Sequence, residues 1–183
     1  MRGEFRGVTD HFSALGIPRA PWVDAEVLKE RFHRVGAEAH PDGGGSSAAF
    51  AAVNEAWQTL RTAAGCLRHF LELENPDTLA IAARTPQELA DLFMEIAAVR
   101  QAVNQYVAER EQAGSPLGRA LLEPARLGLV EKIGALSAQI AAKSAEAIRE
   151  VRTAEPARLA ELLARLVFLG KWDAQVRELG VAV

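Results

Sequence analysis

Two side chains able to act as an acid–base pair, or to ligate a metal, stand two residues apart: His40 and Asp42, with Pro41 between them and Gly43-Gly44-Gly45 after. Acid–base catalysis needs such groups converged on a substrate site, and a zinc-type centre needs three or four donors. The other histidines, His11, His33 and His69, are scattered. Neither His11 nor His69 has a histidine three or four residues away, the spacing that sets two ligands on one helix face. A single cysteine, Cys66, leaves no internal disulfide framework, cysteine-based zinc site or iron–sulfur ligand set. Catalysis and metal binding are therefore weak readings, and no cofactor is implied. Between Gly65 and Leu67, Cys66 reads as a small buried side chain, and His11 and His69 read as surface or core-edge residues. Pro41 and the following Asp-Gly step account for a turn without any partner. They do not account for His40.

The elements that must hold this tripeptide are helical. Apolar residues recur at three- and four-residue spacing through most of the chain, and strand patterns are nearly absent, so the expected class is all-α. A short helix is expected over residues 10–15, ended by Gly16. A longer one opens at the N-cap Asp24 with Leu28, Phe32, Val35 and Ala39 on one face, and stops before Pro41, which disfavours a helical conformation in the residue ahead of it. A third, over about residues 48–61, aligns Phe50, Val53, Trp57 and Leu60. Two antiparallel helices joined by the 42–47 loop then bury their stripes together. An extra short helix is built on Leu67, Phe70 and Leu71.

Near residues 74–85 the composition changes, which divides the chain into 1–75 and 76–183. Thr85 as N-cap, Pro86 at the first helical position and Glu88 completing a capping box announce a long helix with Leu89, Leu92, Phe93, Ile96, Val99, Val103 and Val107 as its core stripe. After the break at Ala113-Gly114-Ser115-Pro116 and a short segment ended or kinked at Pro124, a second long helix turns Leu129, Ile133, Leu136, Ile140, Ile148 and Val151 inward. A third begins near Pro156 with Leu159, Leu163 and Leu166. Three amphipathic helices with short connections make a bundle.

Composition narrows the function classes. The chain has 183 residues, 49% of them hydrophobic, and a formal charge of −3, without the concentrated surplus of Lys and Arg that phosphate backbones require, so no nucleic-acid partner is expected. Nowhere do eighteen uncharged apolar residues run together, and residues 1–10 carry no apolar stretch of signal-peptide length, so neither membrane insertion nor secretion is expected. With one cysteine, a reducing, cytoplasmic setting is the default.

Asp10-His11-Phe12-Ser13-Ala14-Leu15-Gly16, Leu28 with Phe32, His40-Pro41-Asp42 and Val53-Asn54-Glu55-Ala56-Trp57-Gln58-Thr59-Leu60-Arg61 together resemble a J-domain. The wording is most similar to the HscB-type co-chaperones of iron–sulfur cluster assembly, in which a J-domain precedes a three-helix bundle. Phe93-Met94-Glu95 and Val167-Phe168-Leu169-Gly170-Lys171 extend the resemblance into the second half. It implies a co-chaperone rather than an enzyme, one that docks on a DnaK-type ATPase and accelerates its ATP hydrolysis. His40, Pro41 and Asp42 would contact the ATPase, with Lys29, Arg31, His33 and Arg34 steering its approach. Ala39, Glu38 and Gly43 depart from an aromatic, a basic residue and a lysine common at those positions, and each weakens docking.

A second surface comes from helical geometry. At about one hundred degrees per residue, Met94, Ala97, Ala98, Gln101 and Gln105 fall on a flank away from the core stripe. On the last helix Phe168 lies opposite Leu159, Leu163 and Leu166, with Trp172 one turn on, so two large aromatics are expected outside the main core. Together with Phe93 these positions match the face on which HscB-type proteins hold the iron–sulfur scaffold protein, the client that the resemblance implies. That face carries large apolar and acidic residues in the family, whereas here Ala97 and Ala98 shrink it and Gln101 and Gln105 remove charge. The alternative is a J-like interaction protein with a different partner or none, using its bundle to bind another protein.

Overall fold

The computed structural model describes residues 9–82 and 86–183, and among these no residue is in a strand. Contacts gather the chain into two units: residues 1–84 with Ile148–Ala164, and Thr85–Ala147 with Arg165–Val183. The all-α class expected from periodicity is the class observed.

In the first unit the helices begin where side chains satisfy their orphan amides. Asp10 accepts the Phe12 and Ser13 N–H groups and opens α1 (His11–Ala14); Asp24 does the same for Glu26 and Val27 at the start of α2 (Ala25–Ala39). Ser46 caps α3 (Ser47–Leu60) and Thr62 caps α4 (Ala63–Glu74), while α5 (Leu79–Ala82) is a single turn. The stripes of α2 and α3 meet as expected, with Leu28, Ala39, Val53, Ala56 and Leu60 buried alongside Phe12, Leu15 and Cys66, and Phe32, Val35, Phe50 and Trp57 packed on their edge. Phe32 stacks on Trp57 with centroids 4.8 Å apart. The extra helix is three full turns long and buries Leu67 and Leu71 completely. Within the same unit the Arg152 guanidinium lies 4.1 Å above the Trp22 ring, a cation–π contact.

His11 and His69 are not at the surface. Both are buried, their ring centroids 4.6 Å apart, and the His11 backbone N–H donates to His69 Nε2 at 3.0 Å. His69 Nδ1 lies 3.3 Å from Glu72 Oε2, so one tautomer, protonated at Nδ1, satisfies both contacts. The first amide of α1 is thus capped by a side chain from α4, fifty-eight residues away. No local spacing announces such a contact, which is why the sequence pattern suggested a place at the surface or the core edge for these histidines.

The second unit is built from α6 (Ala90–Gln112), α7 (Pro116–Leu121) and parts of α8 (Glu123–Val151) and α9 (Pro156–Ala182). Its core joins Leu89, Leu92, Ile96, Val99, Val103 and Tyr106 to Leu129, Ile133, Leu136 and Ile140 and to Leu169, Trp172 and Val176. Ser115 caps α7 with Pro116 at its first position, and Pro124 sits in the first turn of α8, where a missing N–H costs nothing. The expected start of α6 is displaced. Thr85 lies outside the described residues; Pro86 is extended (φ −67°, ψ 121°), a 3₁₀ turn follows over Gln87–Leu89, and the α-helix begins at Ala90. The capping box expected between Thr85 and Glu88 likewise lies outside the described residues; the Glu88 carboxylate forms an ion pair with the buried Arg165, Oε1 lying 2.8 Å from Nε.

Candidate functional site

The His40-Pro41-Asp42 loop is shaped by its own backbone. Pro41 forces His40 into an extended conformation (φ −65°, ψ 136°), ending α2, and then leads a 3₁₀ turn over Pro41–Gly43. The His40 carbonyl accepts two amides, Gly43 N–H at 2.9 Å and Gly45 N–H at 3.1 Å, while Gly44 donates to the Pro41 carbonyl at 3.2 Å and adopts φ +89°, a left-handed conformation suited to glycine.

The imidazole of His40 is held from two sides. Its Nδ1 accepts the Asp42 N–H at 3.2 Å, and its ring stands edge-on to Phe50 with centroids 5.1 Å apart. An accepting Nδ1 places the proton of the neutral ring on Nε2, so His40 presents an N–H donor away from its own loop. Its side chain is 45% exposed, and that of Asp42 is 93% exposed. Beside the ring, Phe32, His33, Gly36, Ala37 and Phe50 line an open, mainly apolar hollow of about 280 Å³. The pair does not have the form of an acid–base site: Asp42 Oδ2 is 3.6 Å from an Nδ1 already engaged by backbone, and the carboxylate faces solvent. Among the described residues no three His, Cys, Asp or Glu side chains converge to hold a metal. A ring donor, an exposed carboxylate and an apolar hollow thus lie side by side at this loop.

The four basic candidates on α2 do not form one patch. Lys29, His33 and His40, four and seven residues apart, fall within about 40° of each other around the helix, so Lys29 and His33 run in line toward the loop. Both are exposed. Arg31 is half-buried, and Arg34 shares its flank with Glu30 and Glu38, which offset its charge.

The second candidate surface divides. Phe93, expected in the core stripe of α6, is 53% exposed, and Met94 is 65% exposed. Trp172, expected outside, is 4% exposed within the core, and Phe168 is half-buried against it, centroids 5.8 Å apart. Leu159, Leu163 and Leu166 mark the buried face only at the start of α9; farther along, that face is set by Leu169, Trp172 and Val176. Phe93 lies 6.0 Å from Trp172 and so borders α9. Ala98 and Gln105 turn instead toward α8. Ala98 lines one cleft with Val99, Lys132 and Leu136, and Gln105 lines another, of about 310 Å³, with Tyr106, Leu129 and Lys132. Gln105 also donates to Glu109 Oε1 at 2.9 Å, so its flank carries a carboxylate after all. Ala97 and Gln101 are exposed on α6.

Cys66 is buried, and burial pushes its thiol up to about 12. It is a packing residue whose sulfur approaches the Ala20 carbonyl at 3.6 Å, as its small apolar setting suggested.

No protein-family model matches the chain. Over 51 residues, 28% of its length, it is 41% identical to the tetratricopeptide repeat and J domain-containing co-chaperone DNJ1 of Cryptococcus neoformans, and the match spans 9% of that protein. Chaperone HscB from Vibrio cholerae matches in structure with a TM-score of 0.54 and 18% identity, covering 93% of this chain and 96% of that one. The likeness inferred from His40-Pro41-Asp42 and its flanking helices therefore extends over nearly the whole chain, which has the fold of the HscB-type J-domain co-chaperones.

Proposed function

We propose that this protein is a cytoplasmic J-domain co-chaperone: it docks on a DnaK-type ATPase through His40, Pro41 and Asp42, accelerates its ATP hydrolysis, and presents a client held by residues 76–183. The observation that carries this reading is the His40 ring, fixed by Asp42 N–H and Phe50 with its other nitrogen left as an outward donor. Its Nδ1 caps the 3₁₀ turn that follows, but the Nε2–H serves no contact of that turn, whereas a partner carbonyl or carboxylate would use it. Lys29 and His33, in line with it, supply charge that raises the rate of encounter more than the final affinity. The chain performs no covalent step itself.

For the client we favour the iron–sulfur scaffold protein, gripped by the exposed Phe93 and Met94 beside half-buried Phe168. Trp172 supports that patch from beneath. Ala98 and Gln105, turned toward α8, drop out of the proposed contact.

Single-turnover ATP hydrolysis by the DnaK-type chaperone of the same genome is the direct test. Wild-type protein should accelerate it and His40→Gln should not; no acceleration by wild type, or equal acceleration by the variant, refutes the assignment. In a parallel arm, Phe93→Ala with Met94→Ala should weaken capture of the scaffold while leaving stimulation intact. Undiminished capture removes this face.

A further inference from the structure

The loop after the tripeptide is seated unusually close to the helix that precedes it. A Cβ placed on Gly45 would fall on the Ala39 carbonyl group and within 2.8 Å of Ala39 Cα, all backbone atoms that cannot rotate away. One on Gly43 would approach the Ala37 carbonyl to 2.9 Å. Gly44 between them meets nothing, but its φ of +89° disfavours any L side chain. Three adjacent residues are therefore glycine for two different reasons, and all three bear on the carbonyls of the last turn of α2 or on the turn that follows it. The same seat lets Gly45 N–H reach the His40 carbonyl, which already holds Gly43 N–H.

We infer that Gly45 is a positioning residue for the chaperone-contacting tripeptide: its lack of a side chain lets the loop close on Ala39, which holds the Asp42 N–H against His40 Nδ1 and fixes the outward Nε2–H donor. This deepens the proposed function and rests on it for its effect on the ATPase, but not for its effect on His40. If the loop lifts from Ala39, the Gly45 N–H and the His40 carbonyl separate and the turn carrying Asp42 N–H moves with them. His40 Nδ1 then loses its donor, and the ring has no reason to keep one tautomer. Displacements of about 1 Å in groups that must meet a partner's reacting assembly can cost about a hundredfold in rate.

The test uses the full chain and two readouts. Long-range ¹⁵N–¹H spectra of the His40 ring report its tautomer without any partner, and single-turnover hydrolysis by the DnaK-type chaperone reports function. Gly45→Ala should shift the ring from the Nε2–H form to a mixture and lower maximal stimulation by about tenfold or more, the scale a small misplacement produces. Gly44→Ala, which strains the loop without a collision, should do the same to a smaller degree. Thr62→Ala, which removes the cap of α4, is a destabilised control with the loop intact, and it should keep the wild-type ring signal and stimulation. A Gly45→Ala protein with an unchanged His40 spectrum overturns the inference, as does a Thr62→Ala protein that loses the ring signal equally. Should wild type fail to stimulate any ATPase, the functional proposal falls while the spectra still decide what Gly45 does.

Discussion

Replacing His69 with Phe isolates the contact that ties α1 to α4. The ring volume is nearly kept, and so is the stacking on Phe12, whose centroid lies 5.5 Å from that of His69. What disappears is the Nε2 acceptor, leaving the His11 N–H buried with no partner, since Asp10 already serves Phe12 and Ser13. Stranding a buried donor costs about 1–3 kcal/mol. At about 2–4 °C per kcal/mol for a chain of this size, the melting temperature should fall by roughly 2–12 °C. Urea unfolding at pH 7.5 followed by circular dichroism gives the free-energy difference, and hydrogen exchange should show the His11 amide losing protection. A His69→Phe protein as stable as wild type, with its His11 amide still protected, would refute the claim that this side chain acts as a distant helix cap.

Acid should destabilise the same region. Burial first, and His69 second, push the His11 ring below its ordinary value, against the opposing pull of Glu55, Asp10 and Glu72. The unfolded chain therefore takes up a proton near pH 6.5 that the folded chain refuses, so stability is flat above that pH and declines as pH falls below it toward the lower folded value. The measurement is unfolding free energy from pH 7.5 to 5, and His11→Gln should show a shallower decline. Native Cys66, buried and with its thiol pushed up to about 12, should resist iodoacetamide at pH 8 and react fully only in denaturant; rapid native labelling, read by mass spectrometry, would contradict that burial.

Legibility followed the range of the interactions. Helix starts at Asp24 and Pro156, the stop before Pro41 and the paired stripes of α2 and α3 were readable because capping and amphipathic spacing act within a few residues. The start of α6 was misjudged because Glu88 is taken by Arg165, a partner seventy-seven positions away. At the tripeptide, residue types pointed to a partner, but the hollow beside Phe32 and Phe50 and the half-burial of Arg31 depend on how α2 is turned against its neighbour.

The sequence by itself determined an all-α chain, the position of the His40-Pro41-Asp42 loop and the composition of most of its core, because each follows from local backbone preference or from a 3.6-residue period. Only the tertiary structure decided that His69 caps a helix built from His11, that Trp172 lies inside and Phe93 outside, and that Gly45 lies against Ala39. Those outcomes depend on which face of one element meets another, and a helical period leaves that choice open until a third element closes the core.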